Sequence, residues 1–214
     1  MKTILIFVRH GESNANGNGM FAGHLDIELS DRGLLQAEST ANYIKKNYHV
    51  NSIYSSDLQR AYYTAVPTAQ ACGLEINKTA QLREIFAGEW QGLSFDELQA
   101  RYAVSYGVWL KDIGRAQPAN GESVEALSER IWKTVQDIYH KNQGKTVVIV
   151  THATPIRALL CRLKGMTLDQ MKDVSWVSNA SVTVVRVEDD NWILEQTGED
   201  AHLSGLRTQF PANV

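Results

Sequence analysis

Cysteine is nearly absent from this chain, with two among 214 residues, Cys72 and Cys161. They form no C-x-x-C motif and no zinc-ligand spacing, which excludes a disulfide scaffold and a zinc ribbon. Both fall in expected helices and are read as half-buried reduced thiols. Charge of one sign is lacking too. The formal net charge is −3, so neither nucleic acid nor an anionic membrane is an expected partner. A phosphate-binding pocket would have to be local and basic against a mildly acidic exterior. Long apolar runs are missing as well. The stretch Thr3 to Val8 stops at Arg9 with no small-residue cleavage site behind it, so it is not read as a secretory signal. No run approaches the ~18 apolar residues of a membrane span. The expected location is cytoplasmic. Internal repeats and low-complexity tracts are also absent.

What is present alternates. Strand-like runs are Thr3–Val8, Ser52–Tyr54, Glu75–Lys78 and Thr146–Val150. Helix-like segments lie near Asp31–Asn47, Asp57–Ala71 and Ser123–His140, the last with an apolar stripe at Val124, Leu127, Ile131, Val135 and Ile138. A further helix is expected from Thr154-Pro155, proline being tolerated in a first turn. Ser56 and Gln59 are spaced as a capping box for the second helix. Strand–helix alternation predicts an α/β fold with a mainly parallel sheet covered on both faces. Ser181–Val187, a turn at Glu188-Asp189-Asp190-Asn191 and a return strand Trp192–Leu194 read as a hairpin at one end of the sheet. Thr208 to Val214 are expected to fray. The 214 residues, 43% hydrophobic, suit one domain. Phe86 to Asn120, aromatic and weakly periodic, is read as a helical cap folding over the strand ends.

The strand ends carry the chemistry. The first strand runs into Arg9-His10-Gly11-Glu12, and Val147 to Val150 runs into Thr151-His152. Ligands of open α/β sheets bind at the carboxyl ends of strands. Parallel strands would bring His10, His152, Arg9, Arg60 and Glu84 to one crevice. Arginine matches phosphate oxygens bidentately. A neutral imidazole is a competent nucleophile that can form a covalent phospho-enzyme. Glycine at position 11 would let backbone approach the phosphoryl group. A carboxylic acid can protonate the leaving alkoxide and later activate water. The second histidine, held protonated, would stabilise the transferring phosphoryl group. This scheme needs no metal and no cofactor.

Taken together, these blocks resemble the histidine phosphatase superfamily, which includes cofactor-dependent phosphoglycerate mutases and many small-molecule phosphatases. Val8-Arg9-His10-Gly11-Glu12-Ser13 with Asn16 is similar to its signature. Leu29-Ser30-Asp31-Arg32-Gly33, Ser55-Ser56-Asp57-Leu58 with Arg60-Ala61, Leu82-Arg83-Glu84, Gly121-Glu122-Ser123 and Thr151-His152 follow in the family's order. The resemblance implies a three-layer α/β/α sandwich, His10 as phosphorylated nucleophile, and Glu84 as proton donor. It also implies a phosphate pocket of Arg9, Arg60 and His152, with Asn16 and the residue after His152 as further contacts. That residue is Ala153, where the family usually has glycine; its methyl group is tolerable unless φ is positive.

The compact aromatic segment before Pro118 lacks an adjacent pair of cations, which favours a phosphatase over a phosphoglycerate mutase. Other readings are weighed against it. Gly17-Asn18-Gly19-Met20-Phe21-Ala22 matches a dinucleotide fingerprint but follows no strand directly. His10, Glu12 and His152 are a conceivable metal site without standard spacing. Ala153 is the one hint of a non-catalytic phosphate-binding regulatory module. The expected partner is a phosphorylated small molecule, and a homodimer paired through the C-terminal hairpin is one option.

Overall fold

The computed structural model describes residues 1–208. Alternating apolar residues on β1 (Lys2–Arg9) set the layers. Successive strand side chains point to opposite faces, so Leu5 and Phe7 enter one core while Ile6 and Val8 enter another. The chain continues through α1 (Asn14–Gly17), α2 (Asp31–Asn47), β2 (Ser52–Ser56), α3 (Gln59–Cys72) and β3 (Ile76–Thr79). Then come α4 (Phe95–Arg101), α5 (Ala103–Lys111), α6 (Val124–Lys141), β4 (Thr146–Thr151) and α7 (Ala153–Leu163). The hairpin β5 (Val182–Glu188) and β6 (Asn191–Glu199) follows. The sheet has six strands in the order β3-β2-β4-β1-β5-β6. β3, β2, β4 and β1 are mutually parallel, and β5 and β6 are antiparallel to their neighbours.

Helices α2 and α3 cover the face of Ile6 and Val8, and α6 and α7 cover the face of Leu5 and Phe7. This is the expected α/β/α sandwich. The α6 stripe from Val124 to Ile138 is buried throughout, at about 1.5–3 kcal/mol for each large apolar side chain. Ser123 caps that helix by accepting from the Ala126 N–H at 3.1 Å. Asp189 and Asp190 take φ of 49° and 60° and close the β5–β6 hairpin, as a two-residue primed turn requires.

Three expectations change. The Ser56–Gln59 capping box does not form: Leu58 is the N-cap of α3 and makes no side-chain cap bond. Asp26 does the work from a distant loop, accepting from the Gln59 N–H at 2.7 Å and from Gln59 Nε2 at 3.1 Å. The return strand β6 is longer than Trp192–Leu194, because it pairs back as far as Val182. Cys161 is fully buried, its Sγ 3.2 Å from the Thr167 carbonyl, whereas Cys72 is half-buried and both are free. Of the tail, residues 209–214 lie outside the described residues, and Thr208 is held by Gln36 Nε2 at 3.1 Å. Among the described residues no helix is long and apolar enough to cross a membrane.

Candidate active site

Register brings the two histidines together. In the parallel β1–β4 pair, Arg9 stands opposite Thr151, so the next residues, His10 and His152, leave the sheet side by side. The His10 N–H donates to the Thr151 carbonyl at 2.9 Å. The imidazole centroids are 5.1 Å apart at 60°. β2 ends beside them, where Ser56 Oγ lies 2.8 Å from His152 Nε2. The Thr151 hydroxyl donates to the Leu82 carbonyl at 2.7 Å, tying β4 to the segment that carries Glu84.

A cavity of about 230 Å³ opens at these strand ends. Arg9, His10, Asn16, Arg60, Glu84 and Ala153 line one part of its wall. Phe21, Phe95, Tyr106, Trp109, Leu110 and Trp176 line another. His152 is fully buried and touches His10 without lining the cavity itself. All seven sequence-predicted residues thus converge on one hollow or its immediate backing. The charged residues in its lining are Arg9, Arg60 and Glu84, which leaves the hollow net positive.

The electrostatics suit an anion. Arg60 is 1% exposed, not the surface helix residue a lone arginine usually is, and its Nη1 and Nη2 donate to the Leu25 and Gly23 carbonyls at 2.8 and 2.7 Å. Arg9 Nη1 donates to the Val177 carbonyl at 2.6 Å. Burial pushes both guanidiniums down to about 10 against the opposing pull of Glu84, so both remain cations at neutral pH. His10 Nδ1 lies 2.7 Å from the Gly11 carbonyl. A carbonyl only accepts, so Nδ1 carries the hydrogen and Nε2 keeps a lone pair. Burial, then Arg60 and Arg9, hold the His10 pKa well below the usual histidine range, which keeps the ring neutral. Glu84 is aimed by two amides, Ile85 N–H to Oε1 at 2.8 Å and Thr154 N–H to Oε2 at 3.3 Å. The Asn16 amide oxygen accepts from the Ser13 N–H at 3.1 Å and Asn179 Nδ2 at 3.3 Å, so its NH₂ is the end it can offer an anion.

One reading of these residues is corrected, and three others gain a structural context. His152 is not held protonated by its protein surroundings: burial, then Arg60 and His10, push its pKa well below the usual range. Gly11 also answers to a neighbour within the fold. A Cβ there would stand 2.7 Å from the Gly33 carbonyl oxygen, so it is the start of α2 that approaches. Glu12 is committed away from the histidines, accepting from Ser30 Oγ at 2.8 Å and Arg32 Nη1 at 3.2 Å. Ala153 opens α7 and is not among the positive-φ residues, so its methyl group imposes no backbone strain.

Sequence reasoning missed the supporting residues. Thr64 Oγ1 accepts from the Gly11 N–H at 2.9 Å. Asn179 Nδ2 donates to the His10 carbonyl at 3.0 Å. His24 Nε2 and Arg130 Nη2 hold the Glu84 carbonyl at 2.8 and 3.3 Å, and Glu122 grips Arg130 through both oxygens at 2.8 Å. Ser56, Thr64 and Glu122 stand within or beside the quoted blocks, but only packing assigns them partners.

A family model described as the histidine phosphatase superfamily, branch 1, matches residues 5–200. The chain belongs to the histidine phosphatase superfamily. It is 33% identical over 199 residues to "Phosphoserine phosphatase 1" of Hydrogenobacter thermophilus, covering 93% of each chain. It is 35% identical over 202 residues to "Phosphoglycerate mutase-like protein 4" of Arabidopsis thaliana, covering 93% of this chain and 86% of that one. Among solved structures, a mycobacterial glucosyl-3-phosphoglycerate phosphatase in complex with VO3 superposes with a TM-score of 0.84 at 30% identity, covering 92% of this chain and 99% of that one. This histidine phosphatase is a hydrolase of small-molecule phosphomonoesters.

Proposed function

We propose that this histidine phosphatase works without a metal, through a phosphohistidine at position 10. His10 Nε2 attacks phosphorus, the ester P–O bond breaks, and the leaving oxygen takes its electron pair and a proton from Glu84. Glu84, now ionised, accepts a proton from water as that water attacks phosphorus. The N–P bond then breaks, returning the pair to Nε2 and releasing inorganic phosphate. Arg9 and Arg60 would hold the phosphoryl oxygens, with Asn16 and the Ala153 amide as further donors. An arriving dianion would raise the His152 pKa and let it share a proton with that charge. The observation that carries this reading is a buried, neutral His10 with Nδ1 tied to the Gly11 carbonyl, in a hollow lined by two buried guanidiniums.

We further propose that the chain acts as one domain, with residues 86–120 as a cap over the site, in the cytoplasm. β6, one of the two outer strands of the sheet, is the edge through which a second copy would pair.

The test pairs two substitutions. His10→Ala is expected to lose at least ~10³-fold in kcat and to form no acid-labile, base-stable phosphoprotein. Glu84→Gln is expected to lose about 10²–10⁴-fold on alkyl phosphates and far less on p-nitrophenyl phosphate, whose leaving group needs no proton. Full activity of His10→Ala, or equal losses on both esters in Glu84→Gln, would reject the assignments. A phosphoglycerate mutase assay run alongside should show no transfer between hydroxyls.

A further inference from the structure

The outer wall of the cavity carries a selectivity that the phosphate end does not. Met20, Phe21, Tyr106, Trp109, Leu110 and Trp176 line it. Beyond Arg9, Arg60 and Glu84, none of the cavity-lining residues carries a charge among the described residues. The rings are braced. Trp109 meets Phe21 edge-on at 5.1 Å and the fully buried Trp90 at 6.0 Å. Trp176 stacks on Trp109 at 6.3 Å and 29°. The Arg157 guanidinium covers Trp176 at 4.2 Å and donates to the Lys172 carbonyl at 3.1 Å. Its charge thus supports the wall without lining the cavity.

Such a wall treats two kinds of leaving group oppositely. A carboxylate brought against it would give up hydration with no cation on that wall, among the described residues, to receive it. A ring or branched alkyl group would exchange water for aromatic faces. The cavity, about 230 Å³, is small beside the ~300–1,000 Å³ of pockets for drug-sized ligands, which suits a phosphoryl group carrying one ring. We infer that this histidine phosphatase selects phosphomonoesters whose leaving group is uncharged and apolar, and discriminates against esters bearing a carboxylate near the phosphate.

The inference rests on the phosphatase reading above, and its test separates the two. Benzyl phosphate, propyl phosphate, O-phosphoserine and 3-phosphoglycerate all release alkoxide-type leaving groups, so the wall rather than leaving-group reactivity decides among them. The expected kcat/KM for benzyl phosphate exceeds those of the two carboxylate esters by about tenfold or more. Leu110 is 55% exposed, so Leu110→Lys should fold and place an ammonium on the wall. That variant should narrow the benzyl-to-phosphoserine ratio by roughly threefold, the scale of one partly screened charge pair. Trp176→Ser should lower the benzyl-to-propyl ratio. Phosphoserine or 3-phosphoglycerate turned over as well as benzyl phosphate would overturn the inference and leave the phosphatase standing. Ratios unmoved by both variants would overturn the assignment of the wall. No phosphate release from any ester would instead overturn the phosphatase reading.

Discussion

A Cβ added to Gly33 would fall 2.0 Å from the Glu12 carbonyl oxygen. That contact explains why a glycine in the helix-opening block answers a glycine in the nucleophile's block. Ser30 N–H and Ser30 Oγ both bond to Glu12, and the Glu12 N–H donates to Gln36 Oε1 at 2.7 Å. The first turns of α2 are therefore clamped to the residues that follow His10. Gly33→Ala is expected to force the two apart, at about 1–3 kcal/mol of overpacking strain. Urea unfolding would measure the loss, and kcat should fall with it because His10 takes its place from the same segment. An unchanged unfolding midpoint would show that the two segments do not depend on this close approach.

At the scale of elements, α3 shows how a functional residue depends on a partner far along the chain. Its N-terminus is capped by Asp26, and Arg60, in its first turn, is gripped by the Gly23 and Leu25 carbonyls of the same loop. One loop therefore finishes a helix and aims a guanidinium. Asp26→Ala should cost about 0.5–2 kcal/mol as a lost cap and raise KM for phosphate esters as Arg60 loses its frame. Asp26→Asn keeps an acceptor for the Gln59 N–H and should recover most of both losses. Thermal denaturation and steady-state kinetics on the pair would check this. A stability loss with unchanged KM would separate the cap from the arginine.

The whole molecule holds two imidazoles neutral in its interior, and that links stability to pH. The folded-state pKa values of His10 and His152 lie well below the ordinary value near 6.5. Below about pH 6.5 the unfolded chain therefore takes up protons that the folded chain does not. Stability is fully retained above that value and falls as pH drops beneath it. The slope is at most about 1.4 kcal/mol per pH unit for each histidine. Tm measured from pH 7.5 down to 5 should decline in the parent and decline less steeply in His10→Ala. Parallel curves would mean that His10 titrates normally in the fold. The same neutrality predicts that kcat/KM holds through pH 6, because protonation of the nucleophile is deferred.

The layers, the parallel strands and the C-terminal hairpin were legible in the sequence because side-chain period and turn chemistry are local properties. The identities of His10, Arg9, Arg60, Glu84 and His152 were legible because each follows a strand or opens a helix, and parallel pairing leaves such positions one place to go. Three things waited for the tertiary structure: the capping of α3 by Asp26, the bracing of Glu84 by His24 and Arg130, and the neutral state of His152. Each depends on groups brought together from separate segments of the chain. Residue type fixes what a group can donate or accept; packing alone fixes which partner it meets and how much water it loses.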